Sequence, residues 1–104
     1  MELNILVFGR DKGILDVLER LINSHEGWKA TTAASEEQVF SALREKEYRI
    51  VFVSAGIDPQ EENELHRRIQ QQYPKIVVAR HFGGGSGLLE NEVLAILNTN
   101  NHGK

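Results

Sequence analysis

Arg10 and Asp11, Ser54, Arg80 and His81, and the run Gly83-Gly84-Gly85-Ser86-Gly87 are where this chain concentrates groups that could do chemistry. Each set follows an apolar run, at the point where a strand would hand over to a loop. Two guanidinium groups and glycine-loop amides suit an anion such as phosphate, which accepts several charge-assisted hydrogen bonds at once. Arg10, Ser54, Arg80, His81 and Gly84 are therefore candidate anion-binding residues. The same residues admit a plainer use, in which the cation at Arg10 neutralises Asp11 and the cluster is structural.

Other chemistries fit less well. Ser54 and His81 could be paired as nucleophile and base, but no third group is identifiable to orient the histidine. The glycine run lacks the lysine and hydroxyl that end a Walker loop, and it does not stand at the first strand–helix turn as a dinucleotide fingerprint would. A flexible connector is its plainer reading. His25, His66, His81 and His102 show no zinc-ligand spacing. Cysteine is absent, which excludes a disulfide framework and a thiol nucleophile. No metal, cofactor or catalytic residue is expected.

Composition narrows the class further. At 104 residues the chain is read as one domain, spanning 1–104, that can bury a core without metal or disulfide support. Its net charge of -3 and scattered Lys and Arg do not make a nucleic-acid footprint, and His66-Arg67-Arg68 is too short to be one. Met1-Glu2-Leu3-Asn4 lacks a signal peptide's basic flank, and no apolar run approaches membrane-spanning length. The expectation is a soluble cytoplasmic protein without membrane or nucleic-acid partners.

The elements that must position these residues alternate. Leu3 to Phe8 is a nearly continuous apolar run stopped by Gly9, as in a strand covered on both faces. Ile14, Val17, Leu18, Leu21 and Ile22 recur at helical spacing after a cap at Asp11. Trp28 to Ala33 suits a strand near a sheet edge. Ser35-Glu36-Glu37-Gln38 is a capping-box pattern, opening a helix whose buried stripe is Val39, Phe40 and Leu43. The run Ile50 to Val53 follows. Asp58-Pro59 with Glu61 and Glu62 is the next helix start, with a cap, a proline at the first helical position and acids facing the dipole. Leu65 and Ile69 anchor that helix until Tyr73-Pro74. Ile76-Val77-Val78-Ala79 is a third apolar run, in a fourth strand expected over Lys75 to Arg80, and Leu89, Val93, Ile96 and Leu97 mark a final helix before a tail, 98–104, expected to be disordered.

This βαβαβαβα order predicts an open, three-layer parallel sheet of about four strands with helices on both faces. Right-handed crossovers make the first and third strands central, giving the order 2-1-3-4.

At this level the chain resembles a receiver domain, the flavodoxin-like module of response regulators. Asn4-Ile5-Leu6-Val7-Phe8, Ser35 to Val53, and Leu65 to Tyr73-Pro74 carry the resemblance, which covers roughly residues 3 to 80. It implies an aspartate that accepts a phosphoryl group and a Mg²⁺ held by acidic side chains. The acidic pair belongs where this sequence has Gly9 and Arg10, with Asp11 one position late. The acceptor falls on Ala55, which cannot be phosphorylated. A hydroxyl residue belongs where Arg80 and His81 stand, and the family's lysine follows a fifth strand that this chain has lost, or whose preceding helix it has lost. The resemblance therefore implies a degenerate pseudo-receiver: a non-catalytic signalling or interaction domain. Its partner would be another protein or a second copy, meeting the Lys75–Arg80 edge or the last helix. The alternative is a small-molecule or anion-binding module at the carboxyl ends of the strands.

Overall fold

The computed structural model describes residues 3–54, 56–80, 91 and 93–97. Strand β1 (Leu3–Phe8), helix α1 (Lys12–Asn23), strand β2 (Trp28–Ala33), helix α2 (Glu36–Glu45), strand β3 (Ile50–Val53), helix α3 (Pro59–Gln72) and strand β4 (Val77–Arg80) follow in turn, and residues 93–97 are helical. All pairings are parallel and the strand order is β2-β1-β3-β4, as the alternation of elements predicts.

Period-two alternation sorts the central strands onto two cores. Leu6 and Phe8 of β1 join Val51 and Val53 of β3 on one face, against Val39, Phe40 and Leu43 of α2 and Leu65 and Ile69 of α3. Ile5 and Val7 join Ile50 and Phe52 on the other, against Leu15, Leu18 and Ile22 of α1 and against Val93. Both faces of β1 and β3 are thus covered, which explains why these strands read as unbroken apolar runs. Burying each such side chain contributes about 1.5–3 kcal/mol.

The helix starts follow local chemistry. The Asp11 carboxylate accepts from the Ile14 amide at 3.2 Å, and that of Asp58 from the Gln60 amide at 3.0 Å, with Pro59 opening α3. Ser35 Oγ accepts from the Gln38 amide at 3.1 Å. The Gln38 side chain reaches the amide of Ala34 at 2.7 Å, one residue ahead of the cap itself.

Two boundaries differ from the sequence expectation. The buried stripe of α1 runs through Leu15, Leu18 and Ile22, whereas Ile14 and Val17 are 36% and 49% exposed. The helix has more apolar residues than one face can hold, so the periodicity fits two registers and burial selects one. Strand β4 begins at Val77 rather than Lys75, because the Ile76 amide is turned back onto the Tyr73 carbonyl at 3.0 Å. The expected tail at 98–104, the glycine run 83–87 and Leu89 lie outside the described residues.

Candidate functional site

Parallel strands bring their carboxyl ends to one edge, where Gly9 and Arg10 follow β1, Ser54 follows β3 and Arg80 ends β4. Gly9 is the first residue of this edge. It is buried, and its amide donates to the Ala33 carbonyl at 3.1 Å. Ser54, which follows β3, is 1% exposed, and its hydroxyl donates to the Phe8 carbonyl at 3.2 Å. A Cβ built on Gly9 would land on Ser54 Oγ and lie 3.2 Å from Leu15 Cδ2. The space that a side chain at position 9 would use is already taken by the serine.

Arg10 leaves this buried pair toward the surface. Its Nε donates to the Ala34 carbonyl at 2.9 Å, its Nη2 pairs with the Glu61 carboxylate, and its guanidinium carbon lies 5.5 Å from the centre of the Phe8 ring. Gly56, at φ 90°, lets the β3–α3 loop pass against it: a Cβ there would lie 3.0 Å from Arg10 Cβ. That backbone conformation and that approach together require glycine.

Arg80 closes the other side. Its Nε and Nη2 donate to Glu62 Oε1 at 2.9 and 2.6 Å, and Nη2 also reaches the Ile57 carbonyl at 3.3 Å. The first turn of α3 therefore supplies a carboxylate to each arginine, Glu61 to Arg10 two residues past β1 and Glu62 to Arg80 at the end of β4. Both pairs are partly exposed, so each is worth about 0–1 kcal/mol in stability. Their consequence is positional: they fix where the guanidinium groups sit.

Of the sequence candidates, Gly9, Arg10, Ser54 and Arg80 do meet at this edge. Ala55, His81 and Gly84 lie outside the described residues. Asp11 is close in sequence but is engaged at the start of α1, and the carboxylate facing Arg10 is Glu61, not Asp11. Glu61 and Glu62 were legible only as acids suited to a helix start. Their second use shows once α3 is seen to begin beside the ends of β1 and β4.

The donor set does not fit the divalent cation of receiver chemistry. Gly9 offers no side-chain oxygen, Arg10 places a cation there, and among the described residues no group of three His, Cys, Asp or Glu side chains could hold a metal ion. No helix among them is long and apolar enough to cross a membrane.

No protein-family model and no curated protein matches the chain. Solved structures do. A response regulator from Thermotoga maritima aligns at 23% identity over 91% of this chain and 79% of its own, with a TM-score of 0.68. The signal receiver domain of an HD domain-containing protein from Pseudomonas fluorescens Pf-5 aligns at 19% identity over 95% and 94%, with a TM-score of 0.72. An orphan response regulator of Helicobacter pylori aligns at 17% over 91% and 96%, with a TM-score of 0.74. The chain has the receiver-like, flavodoxin-like α/β fold.

Proposed function

We propose that this chain is a receiver-like signalling domain, acting in the cytoplasm through protein interaction and not through phosphorylation of an aspartate or any other catalysis. One observation carries the reading. At the end of β1, where receiver chemistry calls for paired acids, the chain places a glycine packed on Ser54 and an arginine tied to Glu61 and the Ala34 carbonyl. Position 55, where the phosphoacceptor would stand, is alanine. Charge neutralisation that a metal would provide is built into the chain as fixed side chains.

Incubating the protein with acetyl phosphate and Mg²⁺ is expected to leave its intact mass unchanged. An adduct of one phosphoryl group would overturn the reading.

The second reading, an anion module using Arg10, Ser54, Arg80, His81 and Gly84, meets an obstacle at three of these positions. An incoming anion must displace Glu61 from Arg10 and Glu62 from Arg80, and the Ser54 hydroxyl is buried against the Phe8 carbonyl. Millimolar phosphate or nucleotide is accordingly expected to shift the melting temperature by less than about 1 °C, because a ligand stabilises only in proportion to its binding to the folded state. A shift that grows with phosphate concentration and vanishes in Arg10→Gln would favour the anion module.

The interaction surface is proposed to be the Lys75–Arg80 edge. Among the described residues β4 pairs only with β3, and none of them pairs in a ladder with its outer side. Such an edge recruits another chain unless it is covered.

A further inference from the structure

A groove of about 960 Å³ runs beside that edge, between the ends of α2 and α3 and the start of β4. Its apolar wall includes Leu43, Tyr48, Tyr73 and Val78. Tyr48 is fixed by its hydroxyl, 3.0 Å from Thr31 Oγ1, and Gln70 holds the turn into β4 by donating to the Ile76 carbonyl at 2.8 Å. The rim is basic: Lys46, Arg49 and Lys75 line it against the single carboxylate of Glu47. All three cations are exposed and none forms an ion pair among the described residues, unlike Arg10, Arg67, Arg68 and Arg80. Three cations without an ion-pair partner among the described residues therefore line the groove in a protein whose net charge is negative.

Backbone polarity adds a second feature to the same place. The Val77 amide donates to the Arg49 carbonyl at 3.1 Å, which turns Val77 and, by alternation, Ala79 toward β3. The peptide groups of Val78 and Arg80 therefore face outward. A strand laid along them would drop alternate side chains onto the wall formed by Val78 and Tyr73, and one of its ends would lie among Lys46, Arg49 and Lys75.

Resting on the interaction reading above, we infer that this groove receives an extended segment of a partner protein, apolar in its middle and acidic at one end, which adds to the sheet beside β4. Main-chain pairing supplies attachment, the apolar wall supplies alternate-residue pockets, and the basic rim selects for carboxylates. A second copy of the chain fits worse. Residues 75–80 carry no carboxylate, so the edge of a second copy would bring no acid to the cations of the rim.

Two synthetic peptides test the inference, one reading Glu-Glu-Glu-Val-Thr-Val-Thr-Val and one with that order reversed, each capped at both ends and titrated into the ¹⁵N-labelled full chain. At least one is expected to shift the amide signals of Val78 and Arg80 and of the groove, saturably, at submillimolar concentration. Binding is expected to weaken tenfold or more in Lys46→Glu/Lys75→Glu, whose changes are both on exposed side chains, and with a peptide N-methylated at alternate amides. Replacing the glutamates by lysines is expected to abolish it. No shift with either peptide at several millimolar, equal binding by the lysine peptide or by the variant, or shifts centred away from β4 would overturn the inference. So would a dimer seen by sedimentation without peptide and lost in the same variant, which would assign the edge to a second copy. These outcomes are separate from a phosphoryl adduct, which would overturn the non-phosphorylated reading whatever the groove binds.

Discussion

Gly9→Asp is expected to destabilise the protein by about 3 kcal/mol or more, although it only adds a carboxylate at the end of β1. Two costs add. The new Cβ falls on Ser54 Oγ and close to Leu15 Cδ2, and overpacking of this kind costs about 1–3 kcal/mol. The carboxylate beyond it enters a buried position beside apolar side chains, where a charge or an unpaired polar group costs several kcal/mol more. Gly9→Ala isolates the first cost, because it adds the Cβ without the charge. Ser54→Ala removes the atom that the Cβ strikes, and the Phe8 carbonyl keeps the Ser54 amide at 2.8 Å. In urea denaturation the double variant Gly9→Ala/Ser54→Ala is therefore expected to be more stable than Gly9→Ala alone. Coupling of about 1–2 kcal/mol is the size seen for residues in contact. A Gly9→Asp without effect on stability, or additive single effects, would show that position 9 has room to spare and that Ser54 does not occupy its side-chain space.

Phe52→Ala is expected to cost about 3–5 kcal/mol, a large share of the roughly 5–15 kcal/mol that holds a domain of this kind together. Phe52 is 1% exposed on a central strand, flanked in register by Val7 and Ala79, in the core that α1 shares with Val93. Neither neighbouring strand can move in to fill the void, since each is fixed by its own ladder. Thermal denaturation should show a fall of roughly 12 °C or more for a domain near this size. Val17→Ala on the same side of the sheet provides the contrast: that residue is half exposed and its loss is expected to stay within about 0.5 kcal/mol. Equal effects from the two would mean that the α1 face is not packed as described.

The architecture was legible because its signals are local. Leu3–Phe8 and Ile50–Val53 read as doubly covered strands, and Asp11, Ser35 and Asp58-Pro59 read as helix starts, from a few neighbouring residues each. The α1 register was less legible, since Ile14 and Leu15 satisfy the same periodicity and only the sheet beneath decides between them. The composition of the carboxyl edge could be named in advance as far as Gly9, Arg10, Ser54 and Arg80. How those residues are joined could not. Arg10 and Glu61 stand 51 residues apart and Arg80 and Glu62 stand 18 apart, and no spacing rule links them. The contact of Gly9 with Ser54 is equally silent in sequence, because it depends on how closely two parallel strands end side by side. The groove depends on the same kind of information, with its lining drawn from α2, α3 and the entry to β4.

Helix α3 is anchored unequally along its length. Its first turn is tied by charge to both flanks of β3, through Arg10 on one side and Arg80 on the other, while its last turn contains no basic residue and is held by the buried Ile69 and by amide-to-carbonyl links, just after Arg68 pairs with Glu36 of α2 at 3.0 Å. The two ends therefore answer differently to salt: screening weakens the charged ties of the first turn and leaves the burial of Ile69 beside the groove untouched.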